Sequence, residues 1–387
     1  LELIATSTFG LEAVVSRELQ QLGYHNQRTE DGRITFEADE QAISRCNLWL
    51  RSADRLLLKT GEFEARDFDE LFELTKALPW SDWLPVDAEF PVNGKTVKSK
   101  LHHLPSCQSI IKKAIVDNLK GQYRRAQFAE NGPLFPVEFS IQKDRITIGI
   151  NTSGVGLHKR GYRTYQGAAP LKETLAAGLI QLSFWNASRP FIDPFCGTGT
   201  IPIEAAMLAR NMAPGLQRSF ASESWPVFPS NLWSETRAAA EAAIQPHLEL
   251  PLIATDQDNR ALNAARKHAQ QAGVFEDLHI QQKPFTELTT SKKYGCLITN
   301  PPYGERVGSQ TDVYELYQQF PQVLAALETW SIYILTAHSS FELTFGREAD
   351  RRRKLYNGRI ECTYYQFYGP KPPRKPGANL QMKDEND

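Results

Sequence analysis

PFIDPFCGTGTIPIEAAMLA, residues 190–209, reads as a short apolar strand, a loop with two glycines and an apolar helix in direct succession. Glycine allows a sharp turn and a close backbone approach to a ligand, and the helix amino terminus that follows favours an anionic group. A dinucleotide fingerprint needs a third glycine where Pro202 stands, which sets a nicotinamide or flavin site aside. Outward from this stretch, the apolar segments PLIATD, LHIQQ, YGCLITN and WSIYILTA recur downstream, each followed by helical or polar sequence. That alternation predicts a doubly wound, mostly parallel sheet. RKLYN and RIECTYYQFY meet at Asn357-Gly358, a strong hairpin signal, so the sheet should end in an antiparallel strand.

Asn300-Pro301-Pro302-Tyr303 closes the YGCLITN strand. Two successive prolines hold the backbone extended, so the Asn300 side-chain oxygen and the Pro301 carbonyl can face one point. Such a pair of acceptors suits an NH2 group. The exocyclic amine of a base is a weak nucleophile because its lone pair is delocalised into the ring. Acceptors that hold both hydrogens favour a pyramidal nitrogen, and positioning with electrostatics supplies most of the rate. Tyr303 is expected to offer a flat face to an extruded base. Pro-Pro-Tyr-Gly is also an ordinary loop terminator, but here it ends a buried strand of the sheet that carries the glycine loop. Asp256 ends PLIATD, where a carboxylate can accept from both ribose hydroxyls of a nucleoside. It stands 59 positions after Gly197, and much of that separation is residues 211–250, read as an insertion near the site. A turn or cap carboxylate would look the same.

Upstream, LELIAT, the amphipathic stretch from Gly10 to Leu22, RITFEA after Asp31-Gly32, a helix from Gln41 to Leu50 and RLLLKTGEF predict a ferredoxin-like α+β unit. FPVNGKTVKS, a helix from Ser106 to Ala126 that Ser106 could cap, and the pair FPVEFSIQ and ITIGINT around Lys143-Asp144-Arg145 predict a second α/β unit. The chain has 387 residues and a net charge of −1, yet residues 1–90 hold 9 basic against 18 acidic residues and residues 91–165 hold 13 against 4. The basic concentration points to a polyanionic partner, although a solvated surface would look alike. No apolar run approaches the roughly 20 residues that cross a bilayer, and the opening carries acids where a signal peptide carries bases. A cytoplasmic protein with no membrane partner is expected. Cys46, Cys107, Cys196, Cys296 and Cys362 are odd in number and scattered, with no Cys-x-x-Cys pair, so neither a disulfide framework nor a metal site is expected.

With SKLHHLPSCQSIIKKAIVDNL, HKRGYR, DPFCGTGTIPIEAA and TNPPYGER in place, the chain resembles bacterial THUMP-containing RNA methyltransferases. The likeness is strongest to the large-subunit ribosomal RNA guanine-N2 enzymes, a group also called N6-adenine-specific DNA methylases. It covers nearly the whole chain and implies an α/β protein. Residues 1–63 would be a ferredoxin-like domain, 64–163 a THUMP-like RNA-binding domain, and 164–368 a Rossmann-like class I methyltransferase sheet ending in an antiparallel hairpin. The Pro-rich, charged tail 369–387 is expected to be disordered. The resemblance implies S-adenosyl-L-methionine as cofactor. Asp193, Phe195, Cys196, Gly197, Thr198 and Gly199 would line its methionine end and Asp256 would hold its ribose. Pro170 to Glu173 would close over it from outside the sheet. Asn300, Pro301, Pro302 and Tyr303 would form the amine and base pocket, with Asn300 also facing the cofactor. Gln282-Lys283-Pro284-Phe285 departs from the acidic or small polar residue that such enzymes place near the adenine.

RNA docking would fall to Lys95, Lys98, Lys100, Lys112, Lys113, Arg124 and Arg125, with Lys159, Arg160 and Arg163 near the linker, since phosphate contacts position a domain without reading bases. The implied partner is structured RNA, 23S ribosomal RNA or an assembling large subunit. Adenine N6 in DNA or RNA stays open within the same chemistry, and an RNA-binding assembly factor without catalysis is the alternative of another class.

Overall fold

The computed structural model describes residues 1–163, 171–303 and 310–373. The first half is built from β1 (Glu2–Ser7), α1 (Glu12–Gln21), β2 (Gln27–Glu30), β3 (Arg33–Glu37), α2 (Gln41–Trp49), β4 (Ala53–Glu64), α3 (Phe68–Lys76), β5 (Val92–Val97), α4 (Leu104–Tyr123), β6 (Val137–Gln142) and β7 (Arg145–Asn151). These strands form one sheet in the order β2-β3-β1-β4-β7-β6-β5. The two expected units therefore share a sheet. β4 makes this possible because its first half pairs with β1 and its second with β7, and the register shifts between Lys59 and Gly61. Such a bulge bends the strand and lets it serve two neighbours. The Lys143–Asp144 turn has both residues at positive φ, 52° and 64°, as a tight hairpin between β6 and β7 requires.

The expected cap of α4 is corrected. The helix begins at Leu104, and His103 caps it by accepting from the Ser106 N–H at 3.3 Å. Ile111, Ile115 and Leu119 are buried under it while Lys113 and Lys120 face out, as the apolar stripe predicts.

The second half continues with α5 (Glu173–Gln181), β8 (Phe191–Asp193), α6 (Thr200–Ala209), α7 (Leu232–Ala242), β9 (Leu252–Asp256), α8 (Asn259–Gln271), β10 (Leu278–Gln282), β11 (Cys296–Thr299), α9 (Gln310–Gln318), α10 (Phe320–Leu324), β12 (Ser331–Thr336), α11 (Phe341–Phe345), β13 (Arg351–Asn357) and β14 (Ile360–Phe367). The sheet order is β10-β9-β8-β11-β12-β14-β13, with β8 to β12 parallel and β14 antiparallel to β12. From β8 the chain first builds towards β10 and then returns to build β11 and β12 on the other side. The loops after β8 and β11 consequently diverge, and the crevice between them is where open α/β sheets bind ligands. The expected Rossmann-like sheet with a terminal hairpin is present.

Residues 211–250 are not near the site, contrary to expectation. Their Phe220, Trp225, Phe228 and Trp233 belong to the core of the first half, with Trp225 stacked on Phe135 at 4.4 Å. Arg218 donates to the carbonyls of Gly156 and Lys159. The insertion is a brace between the halves, because its aromatic residues find apolar cover there. Among the described residues no helix is long and apolar enough to cross a membrane. The tail from residue 374 lies outside the described residues, so the expectation of disorder is not addressed there.

Candidate active site

Asp193 is the last residue of β8 and is 1% exposed. Its Oδ1 accepts from the Thr299 hydroxyl at 2.6 Å and the Phe195 N–H at 3.2 Å, whereas its Oδ2 is buried with no hydrogen-bond partner. Burial, opposed by those two donors, pushes its carboxyl up to about 7. The loop beyond is held by the Cys196 N–H to the Thr255 carbonyl and by Gly199 N–H to the Cys196 carbonyl. Gly197 and Gly199 sit at φ +52° and +85°. At Gly199 a Cβ would also lie 3.1 Å from Ala265, so α8 packs against a position only glycine fills well. Cys196 is buried and its thiol is pushed well above its usual range, so it packs rather than reacts.

Asp256, at the carboxyl end of β9, accepts from the Gly197 N–H at 2.9 Å and the Asp258 N–H at 2.9 Å. It thereby ties the glycine loop to the neighbouring strand while keeping further lone pairs towards the crevice. Burial raises its carboxyl as well.

Asn300 follows β11, and its Oδ1 is the second buried oxygen of the crevice without a hydrogen-bond partner. The proline loop is fixed by Tyr317, whose hydroxyl donates to the Pro302 carbonyl at 2.9 Å and shares a hydrogen bond with Thr336. Tyr303 departs from expectation. It is 3% exposed, its hydroxyl accepts from Asn357 Nδ2 at 3.0 Å, and it packs in the core, so it is wall rather than an open stacking face.

Both loops line one cavity of about 670 Å³ that also touches Asp256. Asp193, Phe195, Cys196, Gly197, Thr198, Asn300, Pro301, Pro302 and Tyr303 all border it; Gly199 lies behind them as the helix cap. Pro170 lies outside the described residues, and of the adjoining segment Leu171 reaches the cavity. Sequence reasoning missed Ala261, Thr286, Leu316 and Gln319 on the wall. The departure noted above falls at the end of β10 and just beyond it. Gln282 and Lys283 donate elsewhere, to the Gln257 carbonyl and Thr289, while Pro284 and Phe285 face the cavity. Phe285 packs on Phe195 at 4.9 Å and Phe195 is parallel to Phe320 at 5.8 Å, which makes an aromatic rather than acidic wall. The signal was Phe285 itself, an aromatic just past a strand end. Leu316 and Gln319 arrive by long-range packing and carry none.

The two orphaned oxygens fit a cofactor with a cationic amino group and a substrate amine. A buried acceptor without a partner costs about 1–3 kcal/mol, more if charged, so each calls for a donor.

Of the basic candidates, Lys95, Lys98, Lys100, Lys113, Arg124, Arg125 and Lys159 are exposed. Lys112 is half-buried, bound to Glu130 at 2.6 Å and to the Phe90 carbonyl. Arg160 and Arg163 are corrections. Arg160 is 2% exposed and ion-paired with Glu204 of α6 at 3.3 Å. Arg163 pairs with Glu173 and donates to the Thr200 hydroxyl. Both anchor the linker to the cofactor helix instead of facing RNA, because two buried carboxylates of the second half need cations.

Residues 160–366 match the family described as RMKL-like, methyltransferase domain, residues 2–57 the RlmL ferredoxin-like domain and residues 65–151 the THUMP domain. The chain is 45% identical over 380 residues to a Bacillus subtilis (strain 168) protein named as an RNA methyltransferase, YpsC, covering 97% of this chain and 98% of that one. A methyltransferase named SMU.472, solved with S-adenosylhomocysteine, is 44% identical with a TM-score of 0.90, covering 96% of this chain and 99% of that one. A Listeria monocytogenes structure described as an N6-adenine-specific DNA methylase is 47% identical with a TM-score of 0.90, covering 95% and 96%.

Proposed function

The chain belongs to the RMKL-like methyltransferases that carry an RlmL-type ferredoxin-like domain and a THUMP domain, and from that premise we propose that it methylates the N2 amine of a guanine in 23S ribosomal RNA. It is an S-adenosylmethionine-dependent RNA methyltransferase of that type. Guanine N2 and the large-subunit target are supported by the motif likeness set out above and by the exposed basic residues from Lys95 to Arg125.

S-adenosylmethionine supplies an electrophilic methyl group when bound. Asp193 Oδ2 would accept from its ammonium group, Asp256 from its ribose hydroxyls, and Phe285 with Pro284 would cover its adenine. The single observation that carries the reading is Asn300 Oδ1, a buried acceptor without a partner on the cavity that Asp193 also borders. With the Pro301 carbonyl it would hold both hydrogens of an incoming NH2, turn the nitrogen lone pair towards the cofactor and exclude water from it. No residue needs to remove a proton beforehand, since the amine proton can leave after transfer.

Nucleoside analysis of ribosomal RNA from cells with and without the protein tests this. N2-methylguanosine should be lost at one site. Loss of N6-methyladenosine instead would reassign the base, and loss of no mark together with no binding of S-adenosylmethionine would favour an assembly factor.

A further inference from the structure

RRRKLYNGRIE, residues 351–361, holds five basic residues against one acid. It forms β13, the terminal strand of the second sheet, and the start of β14. Charges on an edge strand commonly guard it against pairing with another chain. Arg352 pairs with Glu342 and Lys354 with Glu361, both at 2.6 Å, and Arg353 turns inward to the Gly10 carbonyl. Arg351 and Arg359 are exposed and have no ion-pair partner among the described residues.

A guard needs charge, but the tip of this hairpin also displays apolar rings. Phe9, from the loop between β1 and α1, is 46% exposed and meets Tyr356 edge-on at 6.0 Å. The junction is close-fitted. Gly10 is at φ +91°, and a Cβ there would stand 2.5 Å from the Lys354 carbonyl oxygen. The tip also adjoins the cavity. β14 runs antiparallel to β12 with Thr363 opposite Thr336, which puts the turn at the carboxyl edge of the sheet, and Asn357 holds the Tyr303 hydroxyl.

Resting on the reading as an RNA methyltransferase, we infer that Phe9 and Tyr356, flanked by Lys354 and Arg359, form a docking surface for the RNA strand next to the target nucleotide. Aromatic rings accept any base by stacking, worth about 1–3 kcal/mol per base, and the Lys354 ammonium and Arg359 guanidinium hold the phosphates between them. The exposed pair Lys354–Glu361 is weak enough to exchange its carboxylate for a phosphate. The surface joins the two halves of the molecule, so it orders the strand that enters the pocket without reading its sequence.

The test uses the full chain and 23S ribosomal RNA isolated from cells lacking it. In Phe9→Ala/Arg359→Glu the KM for RNA should rise about 10- to 100-fold, with kcat within about twofold and S-adenosylhomocysteine affinity and melting temperature unchanged. A photoreactive benzoylphenylalanine at position 9 should cross-link within a few nucleotides of the methylated base. An unchanged KM, or a cross-link far from that base, overturns the inference while leaving the enzyme reading intact. Wild-type protein that methylates no RNA overturns that reading and the inference with it.

Discussion

Replacing Asp193 by Asn separates the cost of a buried carboxylate from its use. In the free protein burial lifts this carboxyl from the ordinary 3.8 to about 7. A folded value above the unfolded one means that the folded chain holds the extra proton between them. The associated stability is fully present below about pH 4 and is lost as pH rises through about 7. By pH 8 the deficit amounts to about 4 kcal/mol. Asn is the same shape, carries no charge and keeps an oxygen for Thr299 and the Phe195 N–H. The free variant should therefore be more stable than wild type at pH 8, by roughly 10 °C in the melting of the methyltransferase half. That gain should shrink to under about 1 kcal/mol at pH 4. S-adenosylmethionine should show the opposite preference. Wild-type affinity falls about tenfold for each pH unit below 7, as Asp193 takes up a proton that the ligand ammonium must displace. The variant binds about 10- to 100-fold more weakly at pH 8 and without that slope. Calorimetric scans from pH 4 to 8 and titrations from pH 5 to 8 measure the two. A variant no more stable than wild type at pH 8, or one that keeps the same pH slope of binding, refutes the reasoning.

Asn300→Ala should lower kcat about 100- to 1,000-fold while S-adenosylmethionine affinity stays within about twofold, as single-turnover assays and calorimetry would record; equal loss of both would make it a folding residue. Lys98→Glu/Lys100→Glu should weaken RNA binding and reduce the dependence of log K on log salt by about 0.7–0.9 for each phosphate contact removed. An unchanged salt slope in anisotropy titrations would show that this face is only solvated. Arg160→Met should destabilise the protein by about 3–5 kcal/mol in denaturant unfolding by stranding Glu204, and adding Glu204→Leu should recover most of it.

The cofactor loop, Asp256 and the Asn-Pro-Pro-Tyr turn were legible because each joins a strand end to a backbone constraint written locally: glycines at positive φ, two prolines, a carboxylate closing an apolar run. All strands of the second sheet that the alternation predicted are present. What was not legible depends on partners far along the chain. β4 reads as an ordinary strand of the first unit, yet its far half pairs with β7 some 85 residues on. Residues 211–250 read as an addition near the site because they lengthen the path from Gly197 to Asp256, but Trp225 and Phe228 bury themselves against the first half. A run of bases gives charge and not direction, so HKRGYR could not disclose that Lys159 faces water while Arg160 does not.

The inward turn of Arg160 and Arg163 bears on how docking and chemistry stay in register. Arg160 reaches the Arg51 and Leu157 carbonyls as well as Glu204, and Arg51 in turn donates to the Met212 carbonyl. Glu204 and Thr200 both belong to α6, the helix whose amino terminus carries the glycine loop. A flexible linker would let the basic surface of the first half wander relative to Asn300 by far more than the fraction of an ångström that amine positioning tolerates. Fully desolvated pairs resist such wandering, because any opening strands charges in the interior at a cost of several kcal/mol. On the function proposed above, the linker cations would serve RNA modification from inside the molecule, by fixing where bound RNA lies relative to the cavity rather than by touching it.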